Sequence, residues 1–275
     1  MTQQIVLLTG ASAGIGKATA ELLMKKGTIV YAASRGGGPN QDDAMSKGKI
    51  ISVKMDVNKV DTIQTIVKQI IDTHGKLDVV IANAGNGIAG AIEETSIDEA
   101  RYQFETNFFG VVKTIQTCLP VFRKQGSGKI ITVSSLAGVI PIPFQTFYSS
   151  VKAATSMYMN GLAIELKPFG IQCCTILPGD TKTAFTANRK YTIASQNEQS
   201  VYYASMKRSV ARMEHDEQNG MSAEAVALPI VRQVLRKRMQ TYFVPGTLNQ
   251  LFYHVFQVLP TDFRLWIIGD RKSVV

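Results

Sequence analysis

The chain has 275 residues, with 30 Lys+Arg against 21 Asp+Glu and a formal charge of +9. Its 45% hydrophobic and 19% charged residues exclude a disordered chain, and no uninterrupted apolar run reaches the ~20 residues of a spanning helix. Cys118, Cys173 and Cys174 cannot build a disulfide framework and lack metal-type spacing, so no metal and a reducing, cytoplasmic setting are expected. The net charge leaves three anionic partners open: nucleic acid, a membrane surface and a cofactor.

Met1-Thr2-Gln3-Gln4 carries no basic region, and Ile5 to Thr9 is too short for a signal-peptide core. Ile5 to Leu8 instead reads as a short buried parallel strand. Gly16 to Lys26 reads as a helix with Ala18, Leu22 and Leu23 on one face and Gly27 as its stop. Thr28 to Ala33 is a second strand, broken by Gly36-Gly37-Gly38-Pro39, and Ile50 to Val53 a third. Asn58 is expected to cap a helix in which Val60, Ile63, Val67, Ile70 and Ile71 recur at helical spacing, ending at Gly75. Asp78 to Ala82 is the fourth strand. Ser96 and Glu99 fit a capping box that opens a long helix to about Arg123.

Gly128 to Ser134 is the fifth strand, Tyr148 to Lys167 a helix, and Ile171 to Leu177 the sixth strand. Cys173 and Cys174, adjacent in that strand, point to opposite faces and read as core thiols. Residues 182–220 read as polar and irregular. Ser222 caps a helix to about Met239, and Gln240 to Val244 is a seventh strand. No linker or repeat divides the chain, so residues 1–275 are expected to form one domain. Repeated strand–helix units predict an α/β fold, a parallel sheet of about seven strands with helices on both faces. Ligands of such sheets sit at the carboxyl ends of the strands, so the residues that follow each strand carry the argument.

After the first strand comes Thr9-Gly10-Ala11-Ser12-Ala13-Gly14-Ile15-Gly16, directly before a helix. Glycines permit a tight turn and close approach of backbone to a pyrophosphate, and the helix N-terminus supplies free N–H groups. The spacing resembles the T-G-x-x-x-G-x-G nucleotide-binding segment of the short-chain dehydrogenase/reductase family. That resemblance implies a doubly wound Rossmann-like fold, and Gly10, Ser12, Gly14, Ile15 and Gly16 as cofactor-binding positions. At the end of the second strand stands Ser34-Arg35, where NAD-preferring enzymes of this fold usually place an acid. A guanidinium there suits the 2′-phosphate of NADP through charge and bidentate geometry. The expected cofactor is therefore NADP(H), with NAD(H) also usable.

The later strand ends continue the resemblance. Asp56 and Val57 match the family's adenine-contacting pair, and Ala82-Asn83-Ala84-Gly85 is similar to its N-N-A-G segment with the first Asn replaced. Pro178-Gly179, with Thr181 and Thr183, matches the segment that holds the nicotinamide carboxamide and a phosphate.

Tyr148-Ser149-Ser150-Val151-Lys152 sets a phenol and an ammonium one helical turn apart. A Tyr titrates near ~10, and a nearby Lys⁺ is expected to lower that value, making a proton donor or acceptor for a carbonyl/alcohol pair. Ser135, thirteen residues before Tyr148, matches the family's catalytic serine, with Ser134 structural. Asn107 matches the asparagine that holds a water in a proton relay with the lysine. Asn107, Ser135, Tyr148 and Lys152 thus resemble the complete catalytic tetrad, and Tyr148 and Lys152 also serve the cofactor.

The resemblance covers residues 3–185, the cofactor and catalytic core; residues 186–275 match the family's variable substrate region. The steroid- and retinoid-type carbonyl reductases are nearest in character. The implied activity is an NADP(H)-dependent oxidoreductase interconverting a carbonyl and an alcohol on a small, apolar substrate. The alternative is a non-catalytic NADP-binding regulator on the same fold, which should lack a tetrad member. Nucleic-acid binding has only the net charge behind it. Helices near 101–123 and 151–167 imply a homodimer or homotetramer. Leu248 to Ile268, apolar and aromatic, is expected to form a substrate lid, a subunit interface or a peripheral membrane contact.

Overall fold

The computed structural model describes residues 3–271. Its strands are β1 (Ile5–Thr9), β2 (Ile29–Ser34), β3 (Gln41–Asp42), β4 (Lys49–Lys54), β5 (Val79–Ala82), β6 (Ile88–Ala89), β7 (Gly128–Val133), β8 (Ile171–Ile176), β9 (Thr181–Lys182), β10 (Lys190–Tyr191), β11 (Met221–Ser222) and β12 (Tyr242–Phe243). Its helices are α1 (Gly14–Met24), α2 (Val60–His74), α3 (Ile97–Phe104), α4 (Gly110–Gln125), α5 (Thr146–Glu165), α6 (Tyr203–Gln218), α7 (Ala223–Leu235), α8 (Thr247–Val258) and α9 (Thr261–Arg271). The main sheet runs β12-β8-β7-β5-β1-β2-β4-β3 and is parallel except for the β3–β4 pair. It has eight strands; the extra one is the two-residue β3, whose Gln41 and Asp42 are both exposed and carry no apolar signal.

Alternation along each strand builds two apolar layers. Ile5, Leu7 and Cys173 join α2, α4 and α5 on one face; Val6, Leu8 and Cys174 join α1 and α7 on the other. The chain leaves β1 for β2 on one side and returns to β5 on the other. That change of direction opens a crevice at the carboxyl ends of β1 and β5.

Local chemistry explains the helix ends. Ser96 Oγ accepts from the Glu99 N–H at 3.3 Å and Glu99 returns to the Ser96 N–H at 2.9 Å, closing the capping box. Ser222 caps α7 through the Ala225 N–H at 3.1 Å. Gly75 ends α2 in the left-handed region at φ 71°. Asn58 does not cap α2: Lys59 holds that position, while the Asn58 amide donates to Thr106 Oγ1 at 3.2 Å. On α1 the buried face is Gly16, Thr19, Ala20, Leu23 and Met24, rotated from the expected one.

Two further expectations change. The long helix after Ser96 is interrupted by a wide π-type turn at Glu105–Phe109, which carries Asn107. Residues 182–220 are not irregular throughout, because Tyr203–Gln218 forms α6. Its stripe of Met206, Val210 and Met213 is narrow, and charges on the other faces hide it. The C-terminal stretch folds into α8 and α9. No helix among the described residues is long and apolar enough to cross a membrane.

Candidate active site

A cavity of about 1100 Å³ lies at the carboxyl ends of the strands. Every predicted site residue except Gly16 lines it, from Gly10 at the end of β1 to Thr183 after β9. Gly16 acts one layer down. A methyl at that position would meet the Gly10 carbonyl oxygen at 2.2 Å, so the missing side chain lets α1 seat against the turn. The same junction is tied by Asn83, whose amide donates to the carbonyls of Thr9 (3.0 Å) and Gly10 (3.1 Å). Thr9 Oγ1 in turn accepts the N–H groups of Asn83 and Ala84, each at 3.0 Å. These bonds hold the β1 and β5 ends together and leave the N-terminus of α1 facing the crevice.

Ser34 donates to the Gly37 carbonyl at 3.1 Å, closing the turn that carries Arg35. Arg35 is exposed, lines the cavity and has no ion pair or hydrogen bond among the described residues. Asp56 accepts the Asn58 N–H at 3.0 Å, and Val57 is buried against Gly110 of α4.

Asn107 is 1% exposed and fully engaged. Its amide nitrogen donates to Asn86 Oδ1 (2.8 Å), the Asn86 carbonyl (3.1 Å) and the Gln103 carbonyl (2.9 Å), while its Oδ1 accepts the Asn86 N–H at 3.2 Å. A Cβ on Gly85 would lie 2.6 Å from Asn107 Oδ1 and 3.9 Å from Lys152 Nζ. The amide and the ammonium therefore flank the same glycine. Lys152 Nζ donates to the Val133 carbonyl at 2.9 Å and stands 5.6 Å from the centre of the Tyr148 ring. The Ser134 hydroxyl donates to the Lys152 carbonyl and meets Ser156, both at 3.0 Å. Ser135 caps the short turn Leu136–Gly138, with its hydroxyl beside the Tyr148 phenol.

The protonation pattern corrects one expectation. Burial pushes Tyr148 up to about 12, opposed by the Ser135 hydroxyl and by Arg189, and aided by Glu217. Burial also lowers Lys152, to about 8. Tyr148 is therefore a neutral phenol near pH 7, a proton donor in waiting.

Several cavity residues carried no sequence signal. Phe185 packs 5.5 Å from the Tyr148 ring, and Arg189 lies 5.8 Å above Phe185. Arg189 has a fully buried side chain and pairs with both Glu214 (3.5 Å) and Glu217. Glu217, Asp216 and Arg212 reach the cavity from α6, the helix not foreseen. Gln145, at the N-cap of α5 three residues before Tyr148, also lines the cavity. Leu248, Asn249, Phe252 and Ile268, within the stretch expected to form a lid, an interface or a membrane contact, bring α8 and α9 to the cavity wall.

A profile of the short chain dehydrogenases matches residues 4–194. The chain belongs to the short-chain dehydrogenase/reductase family. It is an oxidoreductase acting on the CH–OH/C=O pair. It is 41% identical over 254 residues to a 3-ketodihydrosphingosine reductase of Bacteroides thetaiotaomicron, covering 92% of this chain and 91% of that one. It is 31% identical over 276 residues to the short-chain type dehydrogenase/reductase VdlC of Helicobacter pylori, covering 98% and 100%. Among solved structures, a short-chain dehydrogenase of Streptomyces avermitilis superposes with a TM-score of 0.78 at 24% identity, over 99% of this chain and 98% of that one. A Burkholderia phymatum family member in complex with NAD gives a TM-score of 0.77 at 21% identity, over 94% and 97%. These two structures share the path of the chain beyond residue 194.

Proposed function

We propose that the protein is an NADPH-dependent ketone reductase for an apolar, long-chain substrate, of the kind named for its Bacteroides relative. The observation that carries this reading is the convergence of Ser135, Tyr148, Lys152 and Asn107 on the cavity that the glycine turn opens. A regulator that only binds the cofactor has no need of a buried lysine and a neutral phenol set side by side.

The cradle fits a dinucleotide. Gly10 and Gly14 take left-handed φ values of 67° and 53°, leaving backbone exposed at the helix start. Arg35, unpaired at the rim, supports a preference for the 2′-phosphate over a bare ribose. When bound, NADPH supplies the hydride for the carbonyl carbon. The chain's own groups do the rest. Ser135 donates a hydrogen bond to the substrate oxygen and stabilises the charge that builds there. Tyr148 gives that oxygen its proton: the phenol O–H breaks as the alcohol O–H forms. Lys152 stabilises the resulting phenolate, and Asn107, held by Asn86 and Gln103, keeps the relay to solvent in register.

Residues 186–271 form the substrate side, with α8 and α9 as its lid. Met157 (70% exposed) and Ile164 (77%) on α5 support pairing with a second copy of the chain. The three buried free cysteines support a reducing, cytoplasmic setting. The test is NADPH oxidation with long-chain ketones by the wild type and Tyr148→Phe. Tyr148→Phe should lose turnover by at least about 10²-fold while binding NADPH normally; retained turnover sinks the assignment.

A further inference from the structure

One side of the cavity beside Tyr148 is bordered by a single aromatic ring. Phe185, between β9 and β10, is half-buried and lines the cavity. Its ring centre lies 5.5 Å from that of Tyr148, with the planes at 51°. Tyr148 must touch the ketone oxygen, so a group packed on its ring borders the place of the ketone's substituents. A hydrocarbon chain threaded between two rings needs two contacts of about 3.5–4.0 Å, or ~7–8 Å in all. The 5.5 Å separation leaves no room for one.

The far edge of the ring is closed as well. A Cβ on Gly87 would lie 2.7 Å from Phe185 Cζ and 3.1 Å from Cε1, so the ring already rests on the Gly87 backbone. Glycine at this position is what allows that approach. Phe185 therefore bridges the loop after β5 and the catalytic phenol. The ring is also held from behind. The Phe185 N–H donates to Thr183 Oγ1 at 3.2 Å, and Thr183 packs against Gly14 of the glycine turn, where an added Cβ would lie 3.2 Å from its Cβ. The Arg189 guanidinium lies over the ring at 5.8 Å and is fixed in turn by Glu214 (3.5 Å) and Glu217 of α6. A cation over an aromatic face is attracted to it, so these contacts keep the ring where it is. Elsewhere the cavity wall is apolar, with Leu248, Phe252 and Ile268 supplied by α8 and α9.

We propose that Phe185 is a specificity-determining residue: seated on Tyr148 and Gly87, it limits one of the two ketone substituents to a few carbons and turns the long one toward α8 and α9. The inference rests on the ketone reductase reading above and goes beyond it, since that reading leaves open where along the chain the ketone stands. The selection is made by repulsion, because a second long branch meets the ring and not open space. A single methylene in an apolar pocket changes kcat/KM by about 10- to 200-fold, so several blocked methylenes are enough to decide between isomers.

The test uses NADPH and two isomeric ketones of equal hydrophobicity, dodecan-2-one and dodecan-6-one. The wild type should favour dodecan-2-one by at least about 10-fold in kcat/KM. Phe185→Ala should bring the two within about threefold of each other, chiefly by raising kcat/KM for dodecan-6-one. A residue with a merely structural role would lower both ketones together and leave their ratio unchanged. An unchanged ratio, or a wild type without preference, overturns the wall while leaving the ketone reductase reading intact. A wild type inactive on both ketones overturns that reading and the wall with it. Should Phe185→Ala not fold, Phe185→Leu decides the matter: the smaller side chain should lower the preference by at least about threefold, and an undiminished preference overturns the proposal.

Discussion

Substituting Gly16 by Ala tests how the glycine turn is built. The new Cβ would sit 2.2 Å from the Gly10 carbonyl oxygen, 2.9 Å from its carbon and 2.6 Å from Asn83 Nδ2. Even close carbon–oxygen contacts stay near ~3.3 Å, so helix and turn must part by about 1 Å. The helix cannot retreat freely, because Ala20 and Leu23 are 2% and 0% exposed against the sheet. Overpacking of this kind costs about 1–3 kcal/mol. Loss of the two Asn83 amide bonds adds about 1 kcal/mol each. The better helix propensity of Ala offsets about 1 kcal/mol. The net destabilisation is about 2–4 kcal/mol, or roughly 5–10 °C in Tm for a chain of this size. NADPH should also bind at least about 10-fold more weakly, since the turn that receives it has moved. Thermal melts with and without NADPH, and a fluorescence titration, measure both quantities. A Tm within about 1 °C of wild type with unchanged affinity refutes the close-packing argument.

Other outcomes follow from the same geometry. Arg35→Ala should weaken NADPH by about 10- to 100-fold and NADH by less than about twofold in parallel titrations; equal losses contradict a role in reading the 2′-phosphate. Lys152 has its pKa lowered by burial from 10.5 to about 8. Between those values the unfolded chain binds more protons than the folded one, so this residue's penalty is full below about pH 8 and fades as pH rises through the window. Lys152→Met should therefore exceed the wild type in stability at pH 7, with an advantage that shrinks toward pH 10. Urea melts across that range check it, and a difference independent of pH contradicts a strained ammonium.

The amino-acid sequence determined the cofactor half of this protein. Buried parallel strands read as short apolar runs, and the residues just past each strand end carry the chemistry. Gly10, Asp56, Asn83, Ser135, Tyr148 and Pro178 could therefore be ordered along one sheet edge before any coordinates. The capping box at Ser96 and the stop at Gly75 were equally local, since each depends on a few neighbouring residues.

Tertiary structure decided the rest. The π-type turn at Asn107 arises within a continuous helical pattern, and its asparagine is fixed by the distant Asn86 as well as by the Gln103 carbonyl one turn before it. Tyr148 moves up and not down because burial, which spacing does not encode, is the largest influence on the phenol. The α6 helix was hidden by its charges; two of them, Glu214 and Glu217, are brought back across the chain to Arg189, and Glu217 lines the cavity. Motif spacing is set by the nearest turns of backbone. The charge a cavity presents is set by residues tens of positions apart, which only packing brings together. The +9 of the whole chain thus says little about any one site, because the charges that meet at Arg189 are set by packing and not by the total.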